Sequence, residues 1–248
     1  GFGTLLRYDD LLTVDGHAQI LCGDLSVKTL QGGPDSCPCP PAPGRLTYKG
    51  ADYRSIPANV PYIQHPRNTL VLEERPLLRW HATGATSYTV ALVQGGEAIW
   101  GQTNVTGNVL TYPDEAPALE PGVDYLLVVQ DNDTGVESGA DPARGIGFRV
   151  ASEAQRDALS ARCDDVSTLS DLDGPARDYA LALCYATWEP PSGGRRPWGQ
   201  AWLLLESVTC THDTPAVHLW RGDLLTAMLA SDDAEAAYRT ALQHAEAL

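Results

Sequence analysis

The sequence predicts a multidomain β + α protein: a small β sandwich or barrel, a second antiparallel β sandwich, and a short all-helical domain. Three observations carry this expectation. Turn-bounded runs of strand character fill residues 1 to 30 and recur every ten or so residues from 66 to 150. A Gly/Pro/Cys-rich segment, Gln31 to Gly44, follows the first set. From Ser152 onward β-branched runs vanish, and Ala, Leu and Arg fall at helical spacing. The expected division is 1–64, 65–150 and 151–248.

In the first unit, Leu11-Leu12-Thr13-Val14 stops at Asp15-Gly16, a hairpin dipeptide. His17 to Cys22 follows, then a Gly23-Asp24 turn and Leu25 to Leu30. The segment QGGPDSCPCPPAPG cannot be helical and has no apolar pattern to order it. A disulfide from Cys22 to Cys37 or Cys39 is therefore expected. Closing a loop of about 15 residues stabilises by about 3 kcal/mol in the chain-entropy account. The runs Asp9-Asp10-Leu11-Leu12-Thr13-Val14, Gly16-His17-Ala18 and Ile20 to Val27 together resemble the FecR-type β domain. That resemblance implies an exported or periplasmic bacterial protein and a partner-binding or sensing module, with no catalytic residue in this stretch.

Pro57 to Pro66 is expected to be a Pro-punctuated linker. Strand runs then follow at Pro76 to Trp80, Tyr88 to Val93, Glu97 to Trp100 and Val123 to Val129. Short strands at this spacing predict an immunoglobulin-like sandwich. The motif Leu119-x-Pro121-Gly122-x-x-Tyr125 fits a tyrosine corner, whose phenol hydroxyl ties back to nearby backbone. With Trp80 as the core Trp and Tyr88 opening the next strand, the region resembles fibronectin type III-like domains.

In the last unit, Ser152 and Glu153 begin a helix, and two later segments align with each other. Ala201 to Ala234 and Leu205 to Tyr238 are both 33 positions apart. Small residues at Ala182, Ala201, Gly222 and Ala234 allow close helix approach, with Leu205 and Tyr238 between the helices. The period resembles that of tetratricopeptide repeats. Seven residues within Pro190 to Pro197 exceed the expected step in the first repeat, and His218 and Arg221 depart from the family's Trp and Leu. Cys163 and Cys184, on consecutive antiparallel helices, are expected to bond.

Composition narrows the function classes. Lys+Arg is 17 against Asp+Glu 32, a net charge of −15, and the only clustered cations are Arg195-Arg196. Nucleic acid, which is held by Lys and Arg on phosphates, is not an expected partner, nor is an anionic membrane. No apolar run reaches about 18 residues, so no membrane-spanning helix is expected. Six cysteines split between the two ends argue for disulfides inside separate domains and an oxidising compartment. One Met and a Gly at position 1 fit a mature chain after signal-peptide removal, or a trimmed one.

Chemistry-bearing motifs are sparse. Asp131, Asp133 and Glu137 are the candidate calcium ligands, although Val136 stands where an EF-hand loop has Gly. Cys210, His212 and His218 lack a fourth zinc partner, and Cys37-Pro38-Cys39 is too tight for a zinc knuckle. There is no G-x-S-x-G elbow, no P-loop and no dinucleotide fingerprint. No catalytic residue and no cofactor is expected. The expectation is a non-catalytic exported interaction or structural protein that binds protein partners or itself. Its expected surface is Trp188, Trp198 and Trp202 together with His218, Trp220, Leu225 and Met228. The alternative is a peptide- or glycan-binding sensor that uses the helical groove or the immunoglobulin-like loops.

Overall fold

The computed structural model describes residues 11–14, 17–21, 27–29, 56–143, 146–167, 174–191, 193–209 and 214–246. Its first sheet is the meander β1 (Leu11–Val14), β2 (His17–Leu21) and β3 (Val27–Thr29), all antiparallel. Val14 lies opposite His17, the register that a two-residue connection imposes. Cys22, Cys37, Cys39 and Cys210 lie outside the described residues, and the expected N-terminal bridge lies there with them.

Eight further strands follow: β4 (Ile63–His65), β5 (Leu70–Val71), β6 (Leu77–Trp80), β7 (Tyr88–Gln94), β8 (Glu97–Val105), β9 (Val109–Thr111), β10 (Asp124–Asp131) and β11 (Phe148–Val150). They form a five-stranded sheet, β5-β11-β10-β7-β8, and a three-stranded sheet, β4-β6-β9. Every pair is antiparallel except β5 with β11. Alternation decides what is inside: Tyr88, Val90 and Leu92 on β7, and Tyr125, Leu127 and Val129 on β10, are buried. They share one apolar cluster with Ile63, Leu78 and Trp80 of the other sheet. The Trp80 ring meets the Tyr88 ring edge-on at 5.5 Å. Gly95 and Gly96, both at positive φ, close the β7–β8 hairpin, where a side chain would be strained.

Tyr125 is buried, and its hydroxyl oxygen accepts the Glu120 N–H at 2.8 Å. This is the corner read from the sequence. Tyr125→Phe keeps the ring and deletes the acceptor, so urea denaturation is expected to show a loss of about 1 kcal/mol. An unchanged midpoint would remove the corner's energetic role.

The stretch before residue 65 is not a free linker. Ile56, Val60, Tyr62, Ile63 and His65 are all buried, and β4 pairs with β6. The sheet-bearing unit therefore begins before the expected boundary. Proline spacing obscured these apolar residues, which pack irregularly and show no period.

The C-terminal part is α1 (Glu153–Ser167), α2 (Gly174–Thr187), α3 (Trp198–Thr209), α4 (Pro215–Ala227) and α5 (Ser231–Glu246). Ser152 starts α1 with a reciprocal capping box: its N–H donates to Gln155 Oε1, and its Oγ accepts the Gln155 N–H. Thr214 Oγ1 accepts the Val217 N–H at 3.4 Å, and Pro215 occupies the first turn of α4. Each helix packs on the next, most extensively α2 on α3 and α4 on α5. A Cβ at Gly222 would lie 2.4 Å from Tyr238 Cε1, so α4 and α5 meet where only Gly fits. Ala182, Ala201 and Ala234 are buried in the helical core with Leu205. Cys163 of α1 is disulfide-bonded to Cys184 of α2, with Cα atoms 6.0 Å apart.

Candidate functional site

Asp131 and Asp133 are occupied by their own chain. Asp131 Oδ1 accepts the N–H groups of Asp133 and Thr134, both at 2.9 Å, and Oδ2 accepts the Thr83 hydroxyl at 2.5 Å. Burial alone would raise the Asp131 pKa, but these donors outweigh it and hold the carboxyl below its ordinary value. Asp133 Oδ2 accepts both the N–H and the hydroxyl of Thr86. Glu137 forms a backbone bridge with Gln130. The turn pins the β10 end to the Thr83–Thr86 segment. Among the described residues no three His, Cys, Asp or Glu side chains gather as a metal would require.

The surface expected from the aromatic residues is not a surface. Trp188, Trp202 and Trp220 are buried, and Trp198 is half-buried. His218, Leu225 and Met228 are buried as well. The reason is physical: helical spacing marked a buried face, and the covering partner is the rest of this chain. Arg79 from β6 lies over the Trp202 ring at 5.1 Å and donates to Glu206 Oε2 of α3 at 2.6 Å. Arg221 of α4 donates to the other Glu206 oxygen at 3.1 Å.

A polar seam joins sheets to helices. Arg67, with no exposed side-chain area, sends Nε to the Met228 carbonyl at 3.0 Å and Nη2 to the Leu229 carbonyl at 2.6 Å. Its Nη1 donates to Asp141 Oδ2 at 2.6 Å and to the Ile63 carbonyl at 3.1 Å. Asn68 Nδ2 donates to the Ala227 carbonyl at 2.9 Å. The last carbonyls of a helix lack intrahelical donors and carry partial negative charge, so a guanidinium there both satisfies and neutralises them. One turn further on, Asp233 at the start of α5 accepts the Tyr62 hydroxyl at 2.9 Å and the Gln64 amide at 3.1 Å. Asp232 accepts the Ile56 N–H at 2.8 Å. Burial first, then the Asp233 charge, pushes the Tyr62 pKa far above its ordinary value. The Pro190 to Pro197 loop and the start of α3 take part too: the Leu70 N–H donates to the Arg196 carbonyl at 2.9 Å, and Thr69 Oγ1 accepts the N–H of Gly199 in α3 at 2.8 Å.

His65 sits inside this seam. A Cβ at Gly199 would lie 2.7 Å from His65 Nδ1, and the Trp202 ring is 6.4 Å away. Burial first, and the Arg79 charge second, lower its pKa to about 3. Unfolded histidine binds a proton near pH 6.5, whereas the folded form refuses it until far lower pH. Stability is therefore complete above about pH 6.5 and falls with decreasing pH, by up to about 1.4 kcal/mol per unit. Denaturant midpoints between pH 6 and 4 test this against His65→Leu, and the variant is expected to lose that part of the slope. Parallel slopes would contradict it.

The described surface also holds a cleft of about 220 Å³ between α1, α2 and the chain after β5. Leu72, Leu159, Leu181 and Tyr185 make its apolar floor, and Arg156 and Asp164 stand at it. The Ser160 hydroxyl donates to Asp164 Oδ1 at 3.0 Å. Burial, with Glu73 nearby, raises the Tyr185 pKa. The cleft thus sets an apolar floor beside Arg156, which contacts Leu72 and Glu74, and Asp164, which accepts from Ser160. Sequence reasoning missed Arg67, Asp141 and His65, because no local pattern links residues so far apart. The chain matches no family model, and no curated protein matches it.

Proposed function

We propose that this protein is a non-catalytic, exported interaction or structural protein, a subunit of a cell-surface, periplasmic or extracellular assembly. In this reading a FecR-like β domain precedes a fibronectin type III-like sandwich and tetratricopeptide-like helices. The observation that carries the reading is the seam. The most elaborate buried polar network described here joins sheets to helices instead of lining a cleft. Burial of charged groups at a junction serves specific geometry between modules, as a scaffold requires. The Cys163–Cys184 disulfide fits an oxidising compartment. No helix among the described residues is long and apolar enough to cross a membrane.

With the helical aromatics turned inward, self-association falls to sheet edges. β8 ends the five-stranded sheet, and no charged residue occurs on it after Glu97. Edge backbone groups pair with another chain unless blunted, and irregular register between Leu92 and Val93 shortens the regular run here. Light scattering across a concentration range at physiological salt is the test. Assembly requires a mass above the 26.6 kDa chain. A strict monomer at every concentration, with no partner captured from the native extract, would end this reading. The second reading, a ligand-binding sensor, draws on the 220 Å³ cleft. It predicts that an isolated peptide or glycan protects Leu159 and Tyr185 from exchange or labelling.

A further inference from the structure

We propose that the outer face of the five-stranded sheet, at β10, β7 and β8, is where two copies of this chain meet about a two-fold axis along β7. The inference rests on the self-association reading and gives that reading a surface and a geometry. Outward positions of an antiparallel sheet with one buried face are ordinarily polar. Here they are apolar. Val90 and Leu92 of β7 and Leu127 and Val129 of β10 are buried inward, so Ala91, Val93, Leu126 and Val128 lie on the opposite face. Register sets them in rows across three strands: Leu126, Val93 and Ala98 in one, Val128, Ala91 and Gly101 in the next. A Cβ at Gly101 would stand 3.9 Å from the Ala91 Cβ, on that same side. Leu126 is 37% exposed, one of three large apolar side chains so exposed among the described residues, and Ala98 and Gly101 are exposed too.

Two features commit this face to a second copy. The first is charge. The chain carries −15, so copies repel wherever charged surfaces meet and approach most easily where there is none. Glu97 is the only charged residue from Ala82 to Pro113, in a chain that is 20% charged, and Leu126 to Gln130 hold none. Glu97 pairs with Gln94, outside the two rows. At one end of the face Asp124 is paired with both Arg149 and Arg195, which leaves a charged rim around an uncharged centre. A strongly basic or acidic partner finds nothing to read in that centre. The second feature is shape. Along the two rows β10 presents large residues and β8 small ones, each about 4.8 Å, one strand spacing, from β7. A two-fold along β7 therefore seats Leu126 of each copy on Ala98 of the other and Val128 on Gly101, with Val93 meeting Val93. An isologous contact demands this reciprocity, and a foreign partner does not. The three-strand patch covers only about 300 Å² per copy, so the dimer belongs to the weak, readily exchanging class.

Sedimentation equilibrium of the whole chain at physiological salt, carried to millimolar concentration, tests this. The chain is expected to dimerise with a midpoint in the high-micromolar range. Leu126→Glu and Ala98→Lys are each expected to weaken the dimer by about tenfold or more, because each seats an unpaired charge on apolar surface. Mixing the two variants is expected to restore a one-to-one dimer to within about threefold of the original affinity. One row then sets the new carboxylate against the new ammonium, while its symmetry mate keeps Leu126 on Ala98. Melting temperatures of both variants are expected to stay within about 2 °C of the parent, as for other outward substitutions. Should either variant fail to fold, Val128→Glu with Gly101→Lys carries the same test on the neighbouring row. Variants that associate as tightly as the parent overturn this surface and leave the assembly reading standing. Weakened variants that do not recover on mixing overturn the two-fold pairing. A parent chain that stays monomeric at millimolar concentration overturns the inference, and the assembly reading falls with it if no partner is captured.

Discussion

Arg67→Met is expected to cost about 3–5 kcal/mol, since it strands a buried carboxylate at Asp141. The Arg67 and Asp141 side chains have no exposed area, and their charged atoms stand 2.6 Å apart. The same guanidinium serves the Met228, Leu229 and Ile63 carbonyls, so removal leaves three acceptors without this donor. Two errors compound: an uncompensated charge, and a helix terminus whose cap is gone. Water can enter and recover part of the loss, which keeps the estimate within that range. Guanidinium denaturation followed by circular dichroism measures it. The double variant Arg67→Met/Asp141→Leu is expected to be more stable than Arg67→Met, because breaking a buried pair costs more than deleting both partners. A loss below about 1 kcal/mol for the single variant would mean that the pair is hydrated in solution.

The parts of this molecule that sequence could reveal are those governed by neighbours in the chain. The start of α1 was legible from Ser152, Glu153 and the helical spacing that follows, all local in the chain, and the structure adds a cap between Ser152 and Gln155 three residues apart. The Tyr125 corner was legible because its partner is Glu120. The Cys163–Cys184 bond followed from two helices joined by a short connection. The seam followed a different rule. Arg67 lies 74 positions from Asp141 and 161 from Met228, and neither distance leaves a pattern in a single sequence. The Pro57 to Pro66 stretch read as a linker because its apolar residues carry no period, yet tertiary contacts buried them. No sequence pattern singled out His65, because the burial that lowers its pKa comes from residues far along the chain, Gly199 and Trp202 among them.

The aromatic residues of the helices teach the sharpest form of that lesson, and Trp202 decides it. Helical spacing identifies a side chain that must be covered, without saying whether the cover is the same chain or another. Trp202 is 1% exposed. It is covered from β6 by the Arg79 guanidinium and from β4 by the His65 ring. Trp202→Ala removes a buried indole and opens a cavity that Gly199 and Ala201 are too small to fill, at an expected cost of about 3–5 kcal/mol. Losing the cation–π contact adds about 1 kcal/mol at most, since Arg79 keeps its pairing with Glu206. For a chain of this size the melting temperature is expected to fall by roughly 10 °C. Trp202→Phe, which keeps an aromatic face under Arg79, is expected to recover about half. The discriminating readout is stability measured with no partner present. A Trp that served as an intermolecular anchor would leave the isolated chain's melting point unchanged and weaken only association, and that result would return Trp202 to the surface.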